Sequence, residues 1–238
     1  ASSDLQVSSY SGTITDAAGG AAAAVSGDLG AVIVDADDPD MTGCAATDAA
    51  YGVGELLTIT CTFDEAVTVT GTPTVTLSNG DVASYASGTT SANIVFTTTI
   101  AQGDSTSADL AVSSIQPTAG GATMKDAAGN AIDTTVTAGD LGTVTVDGAV
   151  PVFSSVAATD GAYGVGETLS ITVTWGEAVV VSGTPTLTLS NNDVASYVSG
   201  SGSTALVFTT VIAESDTASN DLSVSSFGGT ITDAAGGA

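Results

Sequence analysis

Apolar residues alternate with threonine and serine along much of this chain. In Leu57-Thr58-Ile59-Thr60-Cys61-Thr62-Phe63 one parity is apolar and the other is threonine. The same alternation runs through Leu169, Ile171, Val173 and Trp175, and through Ile94 and Phe96 toward Ile100. It returns in Leu206, Phe208 and Ile212, and in Val144 and Val146. A period of two sets alternate side chains on opposite faces of an extended strand, so these are half-buried strands with hydroxyls outward. No segment carries a 3.6-residue period with caps. Turn chemistry separates the runs, as in Tyr51-Gly52-Val53-Gly54, Ser78-Asn79-Gly80-Asp81 and Asp126-Ala127-Ala128-Gly129-Asn130. Strands are expected near 41–46, 56–63, 67–70, 74–78, 82–86, 93–100, 109–114 and 143–147. That density of short strands predicts an all-β chain of tandem immunoglobulin-like β-sandwich repeats. A single barrel or a parallel β-helix fits the period less well.

The pattern repeats. Residues 45–88 return at 157–200, an offset of 112, with 33 of 44 positions identical. A second block occurs three times, as DLQVSS from Asp4, DLAVSS from Asp109 and DLSVSS from Asp221. Self-similarity of this kind marks an array, and arrays serve as rods, spacers or adhesive surfaces more than as catalysts. The joints Val34–Pro39 and Val146–Pro151 align, each with a proline that blocks strand continuation. The expected units are therefore 1–34, the closing strands of an incomplete preceding repeat; 35–146, repeat one; and 147–238, repeat two lacking its last strand. Asp4–Ala21 and Asp221–Ala238 agree at 15 of 18 positions, so the chain starts and stops at nearly the same phase. Two explanations are open. The chain is a window on a longer array, or the N-terminal strand of one subunit completes the next by donor-strand complementation.

Several spaced motifs agree in order: Tyr-Gly-x-Gly-Glu, an alternating strand ending in Phe/Trp-x-Glu-Ala-Val, Gly-Thr-Pro-Thr-Val/Leu-Thr-Leu, Ala-Ser-Tyr-x-Ser-Gly, then Asp-Leu and Thr-Asp-Ala-Ala-Gly-Gly/Asn. This order resembles the swimming-motility-associated repeats of giant bacterial cell-surface proteins, and more broadly the bacterial Ig-like domains of large adhesins. The resemblance covers nearly the whole chain. It implies a secreted, cell-surface, non-enzymatic array, with calcium stiffening in adhesin relatives, and it implies no particular ligand.

Charge narrows the picture further. The net charge is −25, and Lys125 is the sole Lys or Arg beside 26 carboxylates. Nucleic acid and anionic membrane surfaces are excluded as expected partners, because both need basic residues. No apolar run is long enough for a spanning helix, so no membrane insertion is expected. The N-terminus has no basic and apolar leader, so any signal peptide is expected to be removed or to lie outside the sequence. With no His and no Arg, Ser-His-Asp and Cys-His catalysis and His/Cys zinc sites are ruled out, and the chain is read as a non-enzyme. Asn-x-Ser/Thr is absent. The recurring aromatic pairs Tyr51/Tyr163, Tyr85/Tyr197 and Phe63/Trp175 read as core or turn packing, with a sugar platform as the lesser alternative.

Cys44 and Cys61 fall on inward positions of the first two strands of repeat one, and their counterparts are Val156 and Val173. Joint replacement of Val–Val by Cys–Cys predicts a disulfide between facing strands and an oxidising compartment. The acidic clusters carry the strongest functional signal. Asp35, Asp37, Asp38 and Asp40 crowd the first joint, where Asp64, Glu65 and Asp126 are expected to converge. At the second joint Asp147 is expected to meet Glu55 and Asp104 from above and Glu177 and Asp233 from below. The spacing is not that of an EF-hand. Ca²⁺, which takes six to eight oxygens, is the expected cofactor. Neighbouring repeats or copies of the same protein, head to tail, are the expected partners. The expected role is a rod or filament segment; a fibre subunit and an adhesive module are the alternatives.

Overall fold

A computed structural model of the chain describes residues 6–21, 27–30, 32, 34–136 and 139–237. It is all-β, with sandwich-like antiparallel sheets; the helical content among the described residues is one 3₁₀ turn at Ala119–Gly121. Two short strands, β1 (Gln6–Val7) and β2 (Gly27–Asp28), pair antiparallel at the N-terminal end. The reading of 1–34 as closing strands falls partly on residues 1–5, 22–26, 31 and 33, outside the described residues.

The first sandwich runs through β3 (Met41–Ala45), β4 (Ala49–Gly52), β5 (Leu56–Thr70), β6 (Thr74–Leu77), β7 (Val82–Ser87), β8 (Ser91–Thr99), β9 (Val112–Gln116), β10 (Thr123–Lys125) and β11 (Val144–Asp147). The order across its main sheet is β10-β5-β8-β7-β6-β9, with β3 on β5. Its closing feature is a parallel pair: β11 lies beside β4, with Val144 opposite Ala49 and Asp147 opposite Gly52. The two strands expected at 56–63 and 67–70 are one strand, β5. It turns a corner where the register shifts between Thr62 and Val67, and its end pairs with β10.

The second sandwich uses β12 (Phe153–Ala158), β13 (Thr168–Leu189), β14 (Val194–Ser199), β15 (Ser203–Val211) and β16 (Val224–Thr232). Here β13 covers the ground of β5 and β6 together. Its first half pairs with β12 and β15, and its second half with β14 and β16. Gly183-Thr184-Pro185 sits inside it, where the first sandwich breaks at Gly71-Thr72-Pro73.

The alternating apolar residues form the cores. Leu57, Ile59, Cys61, Ile94 and Phe96 are fully buried in the first, beside Leu110, Leu141, Val144 and Val146. Leu169, Ile171, Val173, Leu206 and Phe208 form the second. The tyrosines tether loops as their recurrence suggested. The Tyr51 and Tyr163 hydroxyls donate to the carbonyls of Thr47 and Thr159. Those of Tyr85 and Tyr197 accept the N–H groups of Thr89 and Ser201.

Cys44 and Cys61 are cross-strand partners on β3 and β5 and form a disulfide, with Cα atoms 4.0 Å apart. Val156 and Val173 face each other at the same place on β12 and β13. The substitution logic therefore named a true facing pair: at a close antiparallel pair, two valines or one disulfide fill similar space.

Candidate metal centres at the joints

One loop builds both acidic sites. The sequence Asp-Ala-Ala-Gly-Gly/Asn closes on itself: the N–H of Asp16, Asp126 and Asp233 donates to the carbonyl of Gly20, Asn130 and Gly237 respectively. Backbone N–H groups then point back at the aspartate. Gly129 and Asn130 donate to Asp126 Oδ1 at 2.6 and 2.8 Å; Ala235 and Gly237 donate to Asp233 Oδ1 at 2.7 and 2.9 Å. A short side chain that accepts from the backbone a few residues on is the Asx-turn device, and it fixes the direction of the second oxygen.

Asp35, Glu65 and Asp126 each bring a carboxylate oxygen within 4.8 Å of the others at the first joint. Asp147, Glu177 and Asp233 do the same at the second. The trios are counterparts, contributed by the joint, the corner after the second alternating run, and the Asp-Ala-Ala-Gly loop. Asp126 and Asp233 are the buried members, and the other four are half-buried.

The electrostatics show crowding without cations. Burial pushes the Glu65 carboxyl up, and the charges of Asp126, Asp35, Asp64 and Asp37 add to it. Burial also raises Glu177, helped by Asp147 and Asp233. Asp126 goes the other way. Burial opposes its charge, but the Asn130 side chain and the N–H groups of Asn130, Gly129 and Ala128 hold it below the usual carboxylate range.

The two sites differ in Asp37 and Asp64, whose counterparts are Ala149 and Gly176, and in the residue that closes the Asp-Ala-Ala-Gly loop. In the first, Asn130 Nδ2 donates to Asp126 Oδ2 at 2.8 Å and also reaches the carbonyls of Asp35 and Asp37. In the second, Gly237 stands in its place, and Asp233 Oδ2 is buried with no hydrogen-bond partner. Asp233 itself is 3% exposed. A buried carboxylate oxygen with no partner is costly, and here it belongs to the residue whose carboxylate lies within 4.8 Å of those of Asp147 and Glu177.

The other acidic residues read from the sequence have separate tasks. The Asp64 carboxylate accepts the N–H of Asp40, and its own N–H donates to the Asp40 carbonyl, stitching the joint to β5. Asp37 N–H donates to Asp35 Oδ1, and Asp38 is exposed. Glu55 accepts the N–H of Gly52, and Asp104 accepts that of Ala101, so each fastens its own loop rather than joining the trio. Both still lie at the second joint. Gly236 packs against the Glu55 carboxylate, and Gly148 lies against the Asp104 backbone.

The second joint is tight. A Cβ placed on Gly52 would meet the carbonyl oxygen of Ala235 and the amide nitrogen of Gly237, each at 2.6 Å. The Asp-Ala-Ala-Gly loop of one sandwich thus sits directly on the Tyr-Gly-x-Gly turn of the other. No helix among the described residues is long and apolar enough to cross a membrane. Compared with known proteins, the chain matches no family model and no curated protein.

Proposed function

We propose that this chain is a non-enzymatic structural array: tandem Ig-like repeats forming a rod or filament segment of a bacterial surface protein, with joints stiffened by Ca²⁺. The observation that carries the reading is the recurrence of the carboxylate trio at both joints, together with the partnerless buried oxygen of Asp233. All six side chains offer hard oxygen, the donor type Ca²⁺ selects over softer metals. Backbone carbonyls and water would complete its shell. Without a cation the trio repels itself, which adds to burial in raising the Glu65 and Glu177 carboxyls. A bound Ca²⁺ turns that repulsion into a tie between the joint segment and two elements of the following sandwich. The disulfide supports an extracellular setting.

Isothermal titration with Ca²⁺, paired with melting in chelator, tests the proposal. Two binding events and a rise in melting temperature are expected. Asp147→Asn with Glu177→Gln should remove one event and leave the other. Absence of heat together with an unchanged melt would sink the reading.

A further inference from the structure

The disulfide closes a covalent ring, and the ring contains one whole strand. Cys44 lies near the end of β3 and Cys61 in the first half of β5, 17 residues further on. All of β4, Ala49–Gly52, falls between them. On β4 lies the parallel strand β11, from Val144 opposite Ala49 to Asp147 opposite Gly52. The other edge of β11 is held as well. Its Val144 carbonyl accepts the N–H of Leu110, and Val146 exchanges both backbone hydrogen bonds with Ser107. Just upstream, the Asp48 carboxylate accepts the N–H of Thr143 at 2.8 Å, and the Leu141 carbonyl accepts that of Ala46 at 3.2 Å. Val144 and Val146 are buried in the core.

The chain enters this sandwich through β3 and leaves it through β11. The entry lies at the first joint, where Asp40 is tied to Asp64. The exit lies at the second, where Asp147 joins its trio and Gly52 meets the Asp233–Gly237 loop. Tension along the chain therefore draws Met41 toward one joint and Asp147 toward the other. It draws β4 and β11 in opposite directions along their common axis. A ladder loaded that way is sheared: its hydrogen bonds are strained together, not broken one at a time as when an edge strand is peeled. Val144 and Val146 must also leave the core in the same step. Sliding β3 along β5 would relieve the tension first. The disulfide forbids it, because Cys44 cannot move past Cys61.

We propose that the first sandwich is a tension-bearing clamp. The β4–β11 ladder resists pulling along the chain, and the Cys44–Cys61 ring holds β4 in place so that β3 cannot bypass it. The inference rests on the rod reading for the source of tension, and on neither joint's metal. Resistance to pulling is a rate of rupture, not an equilibrium stability. A hydrogen bond at the ladder therefore counts for more under force than an equal bond elsewhere in the sheet. The ring also limits the damage when the ladder gives way. Residues 45–60 cannot be drawn out, so β4 stays beside β3 and β5, where β11 can find it again. In the second sandwich Val156 and Val173 leave the equivalent strands unlinked.

The test pulls the whole chain between terminal tags in single-molecule force spectroscopy. One rupture event should respond to reductant. Reduction, or Cys44→Val with Cys61→Val, should lengthen that event by about 6 nm, from 17 residues at about 3.6 Å each, and lower its force. In the oxidised chain Asp48→Ala removes the Thr143 tie and should speed rupture about tenfold at a given force. Asn93→Ala removes the bond that Thr62 Oγ1 donates between β5 and β8, and should leave the rate unchanged. Both bonds are exposed, so neither variant threatens the fold, and chemical denaturation of each checks that. Equal sensitivity of rupture to the two variants overturns the inference, because resistance would then be a general property of the sandwich. Lengthening on reduction with no fall in force also overturns it, since the ring would then play no part in the clamp. A clamp found in a chain that gives no calcium heat would sink the joint reading and leave this one standing. Calcium binding without a clamp would do the reverse.

Discussion

The first and second sandwiches are built from nearly the same sentence and reach different states. Ile94 and Phe96 and their counterparts Leu206 and Phe208 are sealed in both, whereas Ile59 and Cys61 are sealed in the first and their counterparts Ile171 and Val173 are each 4% exposed. The alternating strands are equally good in both. What differs is the third side of the core, which Leu141, Val144 and Val146 supply in the first, while the sequence stops short of their counterparts in the second. In the first sandwich the closing strand thus completes the burial of residues that the alternating strands bring to one face.

The sharpest way to break the comparison is to cut the same leucine in each sandwich. Leu110→Ala empties a fully sealed position and should cost about 2–5 kcal/mol, the range for buried leucines. Leu222→Ala removes a side chain already 37% exposed and should cost less than about 1 kcal/mol. Chemical denaturation separates the two, because Trp175, the only tryptophan, reports on the second sandwich while circular dichroism sees both. Equal costs would show that the difference in burial between Leu110 and Leu222 does not carry over to stability.

Next in size is the disulfide. Cys44→Val with Cys61→Val gives the first sandwich the second one's solution. The chain-entropy model assigns a cross-link of this span about 3 kcal/mol, part of which the valine pair's packing offsets. Reductant should shift the first transition downward and leave the Trp175 transition in place. A reductant-sensitive Trp175 signal would mean that the sandwiches unfold as one unit.

These differences bear on what could be read from residues alone. Strands whose faces alternate, such as those holding Ile59 or Phe208, were plain from periodicity, and the Cys–Val exchange exposed the facing pair. Ala49–Gly52 was invisible because it has no alternation. Its strand character comes from its parallel neighbour, and Gly161–Gly164, of almost the same sequence, has none. Thr123–Lys125 was missed because three residues carry too little pattern. The run 56–70 was split because Asp64 and Glu65 look like a turn, whereas Asp40 ties Asp64 into a bent strand. The acidic trios were half legible. The joints were placed by topology, but Glu55 and Asp104 were grouped with Asp147 on proximity alone, and their oxygens are taken by local N–H groups. The Asn130/Gly237 difference was present in the sequence; its meaning needed the geometry of the Asp-Ala-Ala-Gly loop.

The joint offers a smaller contrast in glycine. Gly52→Ala would drive a methyl into backbone of the second sandwich and should loosen the joint, costing about 1–3 kcal/mol as overpacking does. Gly164→Ala in the single chain meets no protein atom nearer than 3.7 Å and should be near neutral. Small-angle scattering should show the Gly52→Ala chain broadening its range of inter-sandwich distances, with the Gly164→Ala chain unchanged. An unchanged Gly52→Ala profile would remove that loop contact as the source of stiffness.

The smallest effect is a pH dependence that sets the two joints against their own aspartates. In chelator, Glu65 and Glu177 have folded values above their unfolded ones, so the folded state holds more protons across that interval. Stability of the metal-free chain should fall as pH rises from the ordinary glutamate value through the raised folded value. Asp126 and Asp133 are depressed, the first chiefly by Asn130 against the pull of burial and the second by Thr135. Their contribution is complete above the ordinary aspartate value and is lost as pH falls through the lower folded one. Denaturation midpoints in chelator should therefore pass through a maximum on the acid side of neutrality. Glu65→Gln with Glu177→Gln should flatten the upper limb and leave the acid limb intact. With Ca²⁺ present the upper limb should invert, because the cation binds the ionised trio. An upper limb that survives both substitutions would place the crowded charge elsewhere than at the joints.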